Sequence, residues 1–184
     1  MTQTTLPLTR TRTISYVALS VALLTFCTWI SIPTTIPFTM QTFAIFAVLG
    51  LLGGKRGTLA ILSYLLIGMI GLPIFSGFRG GFAALLGTTG GYLIGFLLLG
   101  LLYWGITKLL GESFWVMALS MLLGLLLVYL FGSLWFMTFY TSGTGSIGFL
   151  SVLSMCVFPF VVPDLLKLAL ALLLVRRIKP YLHL

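Results

Sequence analysis

Apolar runs of membrane-spanning length are the feature that most constrains this sequence. A transmembrane helix needs about 20 mostly apolar residues to cross a hydrocarbon core of about 30 Å. Six apolar segments can be drawn, of which the second and third are shorter than this length, and each is predicted to be a helix. The six segments are residues 14–32, 40–52, 58–72, 90–109, 114–137 and 163–178.

Composition excludes a water-soluble domain. Of the 184 residues, 60% are hydrophobic and only 7% are charged, whereas about a quarter of a soluble protein is charged. The sequence therefore predicts an all-α integral membrane protein, with a single transmembrane domain over residues 1–184 and an N-terminal tail at 1–12. The net charge of +8 does not indicate nucleic acid, because the basic residues stand at the ends of apolar segments.

Charge placement predicts the orientation. With six helices, one side of the membrane would hold nearly all the basic residues, and the opposite loops would hold only Arg79. Because Lys and Arg are enriched on the cytoplasmic side, both termini are predicted to be cytoplasmic. The basic residues on that side are Arg10, Arg12, Lys55, Arg56, Lys108, Arg176, Arg177 and Lys179.

Three longer connections then face outward, at residues 31–41, 76–91 and 138–148. All three are rich in Pro, Gly, Ser or Thr. Irregular backbone at membrane depth is tolerated only where it is buried in protein or lines a cavity. Because binding residues concentrate on such loops, the outer face is the predicted binding face.

Asp164 and Lys167 are the strongest candidate site residues. Pro163 suits the first helical position, which would put Asp164 in the first turn, and Lys167 follows on the same helix face. If Arg176 and Arg177 mark the cytoplasmic surface, both side chains lie below the outer surface. A local ion pair at a helix start is one interpretation. A ligand-binding pair is the favoured one, because ionisable residues inside a membrane usually line a site or a pathway.

Further candidates lie near the same face. Arg79 either reaches the lipid headgroups or contacts a ligand. Neutral hydrogen-bonding groups and phenylalanine walls could complete a pocket, although aromatic belts at the membrane surface explain some of them equally well. Gly91 belongs to a series of glycines four residues apart, which indicates close helix packing. The remaining candidates are Gln41, Ser76 and Tyr92 as polar groups, and Phe38 and Phe75 as walls.

Catalytic chemistry has no support in the sequence. There is no nucleophile–base–orienter set and no carboxylate pair, and Cys27 and Cys156 lack metal-ligand spacing. No ATP-binding motif is present, so ATP-driven transport would need another chain as the ATPase. We therefore expect no enzyme activity, no metal and no cofactor. Ala18 and Ala22 form a small-xxx-small pair that favours close packing, either inside the fold or with a partner.

Four stretches in order resemble the BioY family: "PFTMQTF" (37–43), "GLPIFSG" (71–77), "GTTGGYLIGF" (87–96) and "PDLLK" (163–167). The resemblance implies a six-helix S component of an energy-coupling factor (ECF) transporter in a bacterial (prokaryotic) cell membrane, with biotin bound near the outer face. It implies that Asp164 contacts the ureido N–H groups, and that Lys167 meets the valerate carboxylate or balances the site's charge. It also implies that Ala18 and Ala22 dock onto the transmembrane coupling protein, whose module carries two ABC ATPases.

Three alternatives stay open on the sequence. An S component for another small vitamin would share the architecture. A membrane enzyme would use Asp164 and Lys167 chemically, although partners for catalysis are missing. A stand-alone pore or assembly protein would need neither a ligand nor an ATPase module.

Overall fold

Helices make up most of the computed structural model, which describes residues 10–34, 36–144 and 148–182. Five helices (α1, α2, α4, α5 and α7) are long and apolar enough to cross a membrane, so the predicted all-α multi-pass membrane class is confirmed. The elements in chain order are α1 (Arg10–Trp29), β1 (Ser31–Ile32), β2 (Phe38–Thr39), α2 (Gln41–Met69), α3 (Phe82–Leu86), α4 (Gly90–Leu110), α5 (Phe114–Thr144), α6 (Phe149–Cys156) and α7 (Phe158–Ile178), followed by one 3-10 turn at Lys179–Tyr181.

Helix α2 is broken at Gly53 and folds back on itself. Gly53 has φ 76° and ψ 169°, a conformation that side chains disfavour and glycine tolerates. The amide of Gln41 reaches the Tyr64 hydroxyl at 3.2 Å, although 23 residues of straight helix would separate the two by about 35 Å. A Cβ on Gly57 would lie 2.9 Å from the Cα of Leu49. The arms 41–52 and 54–69 therefore run side by side.

This hairpin corrects the boundaries predicted for the second and third segments. The sequence suggested a loop over 53–57, but helical structure resumes immediately after Gly53. Lys55 and Arg56 thus stand in the first turn of the second arm. A single glycine makes the reversal, and the absent side chains at Gly54 and Gly57 let the arms and α4 approach closely.

Helices α4 and α5 pack through small residues. A Cβ on Gly95 would lie 3.2 Å from the Cα of Val128, and one on Gly132 would lie 2.4 Å from the Tyr92 ring. Between transmembrane helices, small residues allow backbones to come close and gain van der Waals contact. The four-residue glycine spacing in α4 is therefore a packing feature, as predicted.

The two ends of the helix bundle carry different kinds of residues. At one end, called the basic end below, Glu112 accepts a hydrogen bond from Lys179 at 2.5 Å. Lys55, Arg56 and Lys108 line the same groove as Glu112. At the other end, here the cavity end, Trp29 at the close of α1 donates to the Pro73 carbonyl at 3.0 Å. Helix α1 therefore begins at the basic end, and helix α7 ends there.

Three further predicted boundaries differ from the structure. Helix α7 begins at Phe158, so Pro163 lies inside it and Asp164 is outside the first turn. Pro159 takes the early position, where a missing N–H costs nothing, and Pro163 removes only one further hydrogen bond near the helix start. Helix α5 continues to Thr144 instead of ending at 137. Helix α1 already includes Arg10, which the sequence assigned to a tail.

Candidate ligand-binding site

A cavity opens at the cavity end, between the β1–β2 hairpin, the 75–79 loop and helices α2, α4, α5, α6 and α7. The empty space between its walls, counted together with the open mouth, is about 780 Å³. About half of its lining is apolar. The polar lining residues are Thr39, Gln41, Thr42, Ser76, Arg79, Thr89, Tyr92, Tyr129, Asp164 and Lys167.

Asp164 and Lys167 form a buried ion pair on the cavity wall. The Lys167 Nζ lies 2.8 Å from Asp164 Oδ1, and each side chain is only 6% exposed. Their i,i+3 spacing on α7 puts both on one helix face. Desolvating two charges costs several kcal/mol per ion, roughly, which a single contact does not offset unless further hydrogen bonds are made.

Tyr129 of α5 supplies one of those further bonds. Its hydroxyl donates to Asp164 Oδ2 at 2.7 Å, and both groups are buried. The two carboxylate oxygens thus have different partners: an ammonium on Oδ1 and a phenol on Oδ2. This arrangement fixes the rotation of the carboxylate.

Lys167 also holds the β1–β2 hairpin against α7. Its Nζ donates to the Thr39 carbonyl at 2.7 Å and lies 4.1 Å from the centre of the Phe38 ring. Phe38 in turn stacks on Phe160 at 5.9 Å between ring centres. A buried ammonium over an aromatic face gains cation–π attraction. Lys167 therefore meets a carboxylate, a carbonyl and a ring, which together compensate its burial.

Gln41 belongs to a second polar network beside the first. Its Nε2 donates to the Tyr64 hydroxyl at 3.2 Å. That hydroxyl lies 3.1 Å from Thr28 Oγ1 and 3.0 Å from the Ile74 carbonyl, and Gln41, Tyr64 and Thr28 are all buried. Because a carbonyl cannot donate, the Tyr64 proton is directed away from Gln41. Gln41 itself lines the cavity, and this network uses its side-chain nitrogen and not its side-chain oxygen.

Arg79 stands at the mouth of the cavity on an exposed loop. Its Nε donates to the Ser76 carbonyl at 3.0 Å, and the backbone N–H of Phe75 donates to the Arg79 carbonyl at 2.9 Å. This short turn places Phe75, Ser76 and Arg79 on the lining. The guanidinium has five N–H donors, so most of its donors remain for other acceptors.

The structure gathers most of the predicted site residues into one place. The lining includes Asp164, Lys167, Arg79, Gln41, Phe75, Ser76 and Tyr92. Phe38 lies behind the lining, under Lys167. Gly91 is not on the lining: a Cβ there would lie 2.3 Å from Trp135 Cβ, so its small size is explained by helix packing.

Tyr129, Cys156 and Phe160 also line the cavity, and the sequence analysis did not identify them. Tyr129 lies in the middle of an apolar helix, 35 residues before Asp164. A tyrosine inside a long leucine-rich run is the one local signal, because a buried phenol usually needs a hydrogen-bond partner. Among the described residues, no three His, Cys, Asp or Glu side chains are grouped as metal ligands would be.

These features define a class: a multi-pass helical membrane protein with a cavity and a buried ion pair toward one end of its helix bundle. The model of the BioY family matches residues 1–183. The chain belongs to the BioY family.

Relatives and a solved structure agree with this assignment. The "Biotin transporter BioY" of Thermotoga maritima is 42% identical over 163 residues, which cover 86% of this chain and 90% of that protein. The "Probable biotin transporter BioY" of Pyrococcus horikoshii is 37% identical over 171 residues, covering 92% and 98%. The crystal structure of the S component for biotin from an ECF-type ABC transporter superposes with a TM-score of 0.80 at 29% identity, covering 95% of both chains.

Proposed function

We propose that this chain captures biotin at the outer face of a cell membrane and delivers it inward as the substrate-specific subunit of an ECF transporter. One observation carries the proposal: in a BioY-family chain, Asp164 and Lys167 form a buried ion pair on the wall of a cavity lined by both polar and apolar side chains. The relatives are named as transporters and not as enzymes, which supports the proposal.

Asp164 and Gln41 are the proposed partners of the ureido N–H groups. An ionised carboxylate offers about four acceptor positions, and Lys167 and Tyr129 each use one in the cavity. Two positions therefore remain for donors of a ligand. The free side-chain oxygen of Gln41 adds an acceptor beside them. Lys167 then balances the charge of Asp164, since Thr39 and Phe38 occupy its other sides.

Arg79 is the proposed partner of the valerate carboxylate. It lines the mouth, where the ligand's flexible chain would end, and its planar fork suits a carboxylate. Phe75 and Phe160 provide apolar surface between the two polar ends, with Ser76 and Tyr92 as hydrogen-bonding neighbours. This arrangement separates an acceptor-rich inner end from a cationic outer end, which matches a ligand with N–H donors at one end and an acid at the other.

The proposed topology has six membrane crossings with both termini in the cytoplasm. The reversal at Gly53 supports counting α2 as two short crossings, and the collection of basic residues at one end supports a cytoplasmic assignment for it. The cavity end would then face outward. We propose a prokaryotic cell membrane as the location, since relatives come from bacteria and archaea.

We propose that α1 docks onto a transmembrane coupling protein and that two ABC ATPases drive the assembly. Ala18 and Ala22 are exposed on α1, where small residues would let a partner helix approach. Ala18→Trp should then reduce capture of the coupling protein while biotin binding stays unchanged, whereas equal losses of both would indicate misfolding.

Equilibrium binding of radiolabelled biotin to the purified protein in nanodiscs tests the proposed function. We expect a dissociation constant below about 1 μM and full displacement by unlabelled biotin. Riboflavin, thiamine and lipoate in large excess should displace nothing. Displacement by one of them would assign the chain to another vitamin, and a covalently altered product would indicate an enzyme.

A further inference from the structure

A groove at the basic end, separate from the ligand cavity, has features that the proposed function does not use. It lies between the start of α5 and the end of α7, and Arg176 stands 12 residues, or about 18 Å of helix, beyond Asp164. Its lining combines apolar and basic side chains. The lining residues are Phe114, Trp115, Met117, Val175, Arg176, Lys179 and Pro180.

The rim of this groove carries positive charge without a matching acid. The chain has two acidic residues, and in the described part of the chain they pair with Lys167 and Lys179. Arg176 stacks over Phe114 instead, with 6.0 Å from its guanidinium carbon to the ring centre. Arg177 follows it and is also exposed. An anion at this rim would therefore meet guanidinium groups that no carboxylate in the described residues neutralises.

An apolar track leads from the groove along the bundle toward the cavity end. Trp115 is 79% exposed and begins a row of exposed leucines that recur every three or four residues, which places them on one face of α5. On α7, Leu173 is exposed one turn before Arg176. The leucines of the α5 row are Leu119, Leu123, Leu126, Leu130 and Leu134.

We infer that this groove binds an anionic phospholipid, with its phosphate at Arg176 and an acyl chain along Trp115 and the α5 leucine row. Basic pockets at the membrane surface attract anionic headgroups, and long cationic side chains reach the headgroup level from apolar helices. The track favours a lipid over free phosphate, because phosphate would make no use of it. A soluble protein segment would not explain apolar contact continuing to the depth of Leu134.

Native mass spectrometry of the detergent-purified chain tests this inference. The protein is incubated with dioleoyl-phosphatidylglycerol or dioleoyl-phosphatidylcholine, and retained lipid is counted. We expect several-fold higher retention of phosphatidylglycerol, reduced about fivefold by Arg176→Gln. Lys108→Gln is the matched control: it removes another exposed positive charge at the same end but outside the groove, and it should change retention less than about twofold.

Each other outcome would overturn the inference. Equal retention of the two lipids would remove the anion site, and equal losses in Arg176→Gln and Lys108→Gln would reduce it to diffuse surface charge. If millimolar inorganic phosphate displaced the lipid, the groove would be a phosphate site and not a lipid site. If Arg176→Gln is not monodisperse on gel filtration, Arg176→Lys and Trp115→Ala replace it. The first should keep the lipid preference and the second should lower retention, whereas retention unchanged in Trp115→Ala would refute the acyl track.

Discussion

The described part of the chain has two ion pairs. Each joins a lysine to a carboxylate, but the two differ in burial and in their position in the bundle. Asp164–Lys167 lies on the cavity wall with both side chains 6% exposed. Glu112–Lys179 lies at the basic end, where the lysine is 32% and the glutamate 39% exposed. Each pair uses one of the chain's two acids. The first joins residues one helical turn apart, and the second ties the α4–α5 connection to the end of α7.

Burial separates what the two pairs can do. The exposed pair is solvated and contributes about 0–1 kcal/mol to stability. The buried pair gains stability only if its hydrogen bonds are complete. Tyr129 of α5 and the β2 residues Phe38 and Thr39 supply further contacts from two other parts of the chain. Burying two charges in this way costs desolvation free energy, so the pair is not an efficient way to stabilise a helix bundle. It is a suitable way to present a rigid, desolvated carboxylate to a ligand.

The largest effect should come from Asp164→Asn. The change removes the ligand's charged acceptor and leaves the Lys167 ammonium buried without an anion, so biotin affinity should fall about 100-fold. Radiolabelled biotin binding measures it, with thermal unfolding alongside to check that the variant is folded. A folded variant that binds within about twofold of the parent protein would contradict the site assignment.

A smaller effect is expected for Tyr129→Phe. Losing the phenol frees Asp164 to rotate while the aromatic ring is kept, and affinity should fall about three- to tenfold. Tyr103→Phe is a matched control, because the Tyr103 hydroxyl is buried and has no hydrogen-bond partner in the described part of the chain. The proposed role of Tyr129 is excluded if both variants bind biotin equally well.

Arg79→Gln should have a modest effect that depends on the ligand. The residue is exposed, so its loss should weaken biotin binding up to about fivefold. Biotin methyl ester, which lacks the acid, should bind the variant and the parent protein alike. Parallel titrations with both ligands provide the measurement. Equal losses for the acid and the ester would show that Arg79 does not contact the carboxylate.

Glu112→Gln should have the smallest effect. We expect biotin affinity to change less than about twofold and unfolding free energy to drop by no more than about 1 kcal/mol. Because salt screens exposed pairs, the stability difference should shrink at high ionic strength. Thermal unfolding at low and high salt checks this. If Glu112→Gln lost biotin binding, the claim that only the buried pair contributes to ligand binding would be contradicted.

Sequence patterns predicted what depends on local periodicity and on charge placement. The long apolar runs predicted the helices, and i,i+3 spacing predicted that Asp164 and Lys167 share a face. The sequence pattern could not predict the sharp reversal at Gly53, because a glycine pair beside Lys55 and Arg56 is equally typical of a longer loop. The start of α7 was misplaced because Pro159 and Pro163 both suit a first turn, and only packing selects between them.

Contacts distant in sequence could not be predicted in this way. Lys167 meets the Thr39 carbonyl across 128 residues, and Tyr129 meets Asp164 across 35. The carbonyl contact has no local signal, since backbone carbonyls occur everywhere. A tyrosine in an apolar helix signals the need for a hydrogen-bond partner, but it does not identify that partner. The motifs that resemble the BioY family identified the neighbourhood of the site, whereas the geometry of the carboxylate required the tertiary structure.

The most direct test measures the distance between Asp164 and bound biotin. Asp164 is the only aspartate in the chain, so ¹³C-aspartate labelling gives a single side-chain carboxyl signal. With biotin carrying ¹⁵N at its ureido nitrogens, solid-state NMR dipolar recoupling in lipid should give a nitrogen-to-carboxyl-carbon distance of about 4 Å or less, as hydrogen bonding requires. Saturated ligand with no measurable coupling would show that the buried pair does not recognise the ureido group.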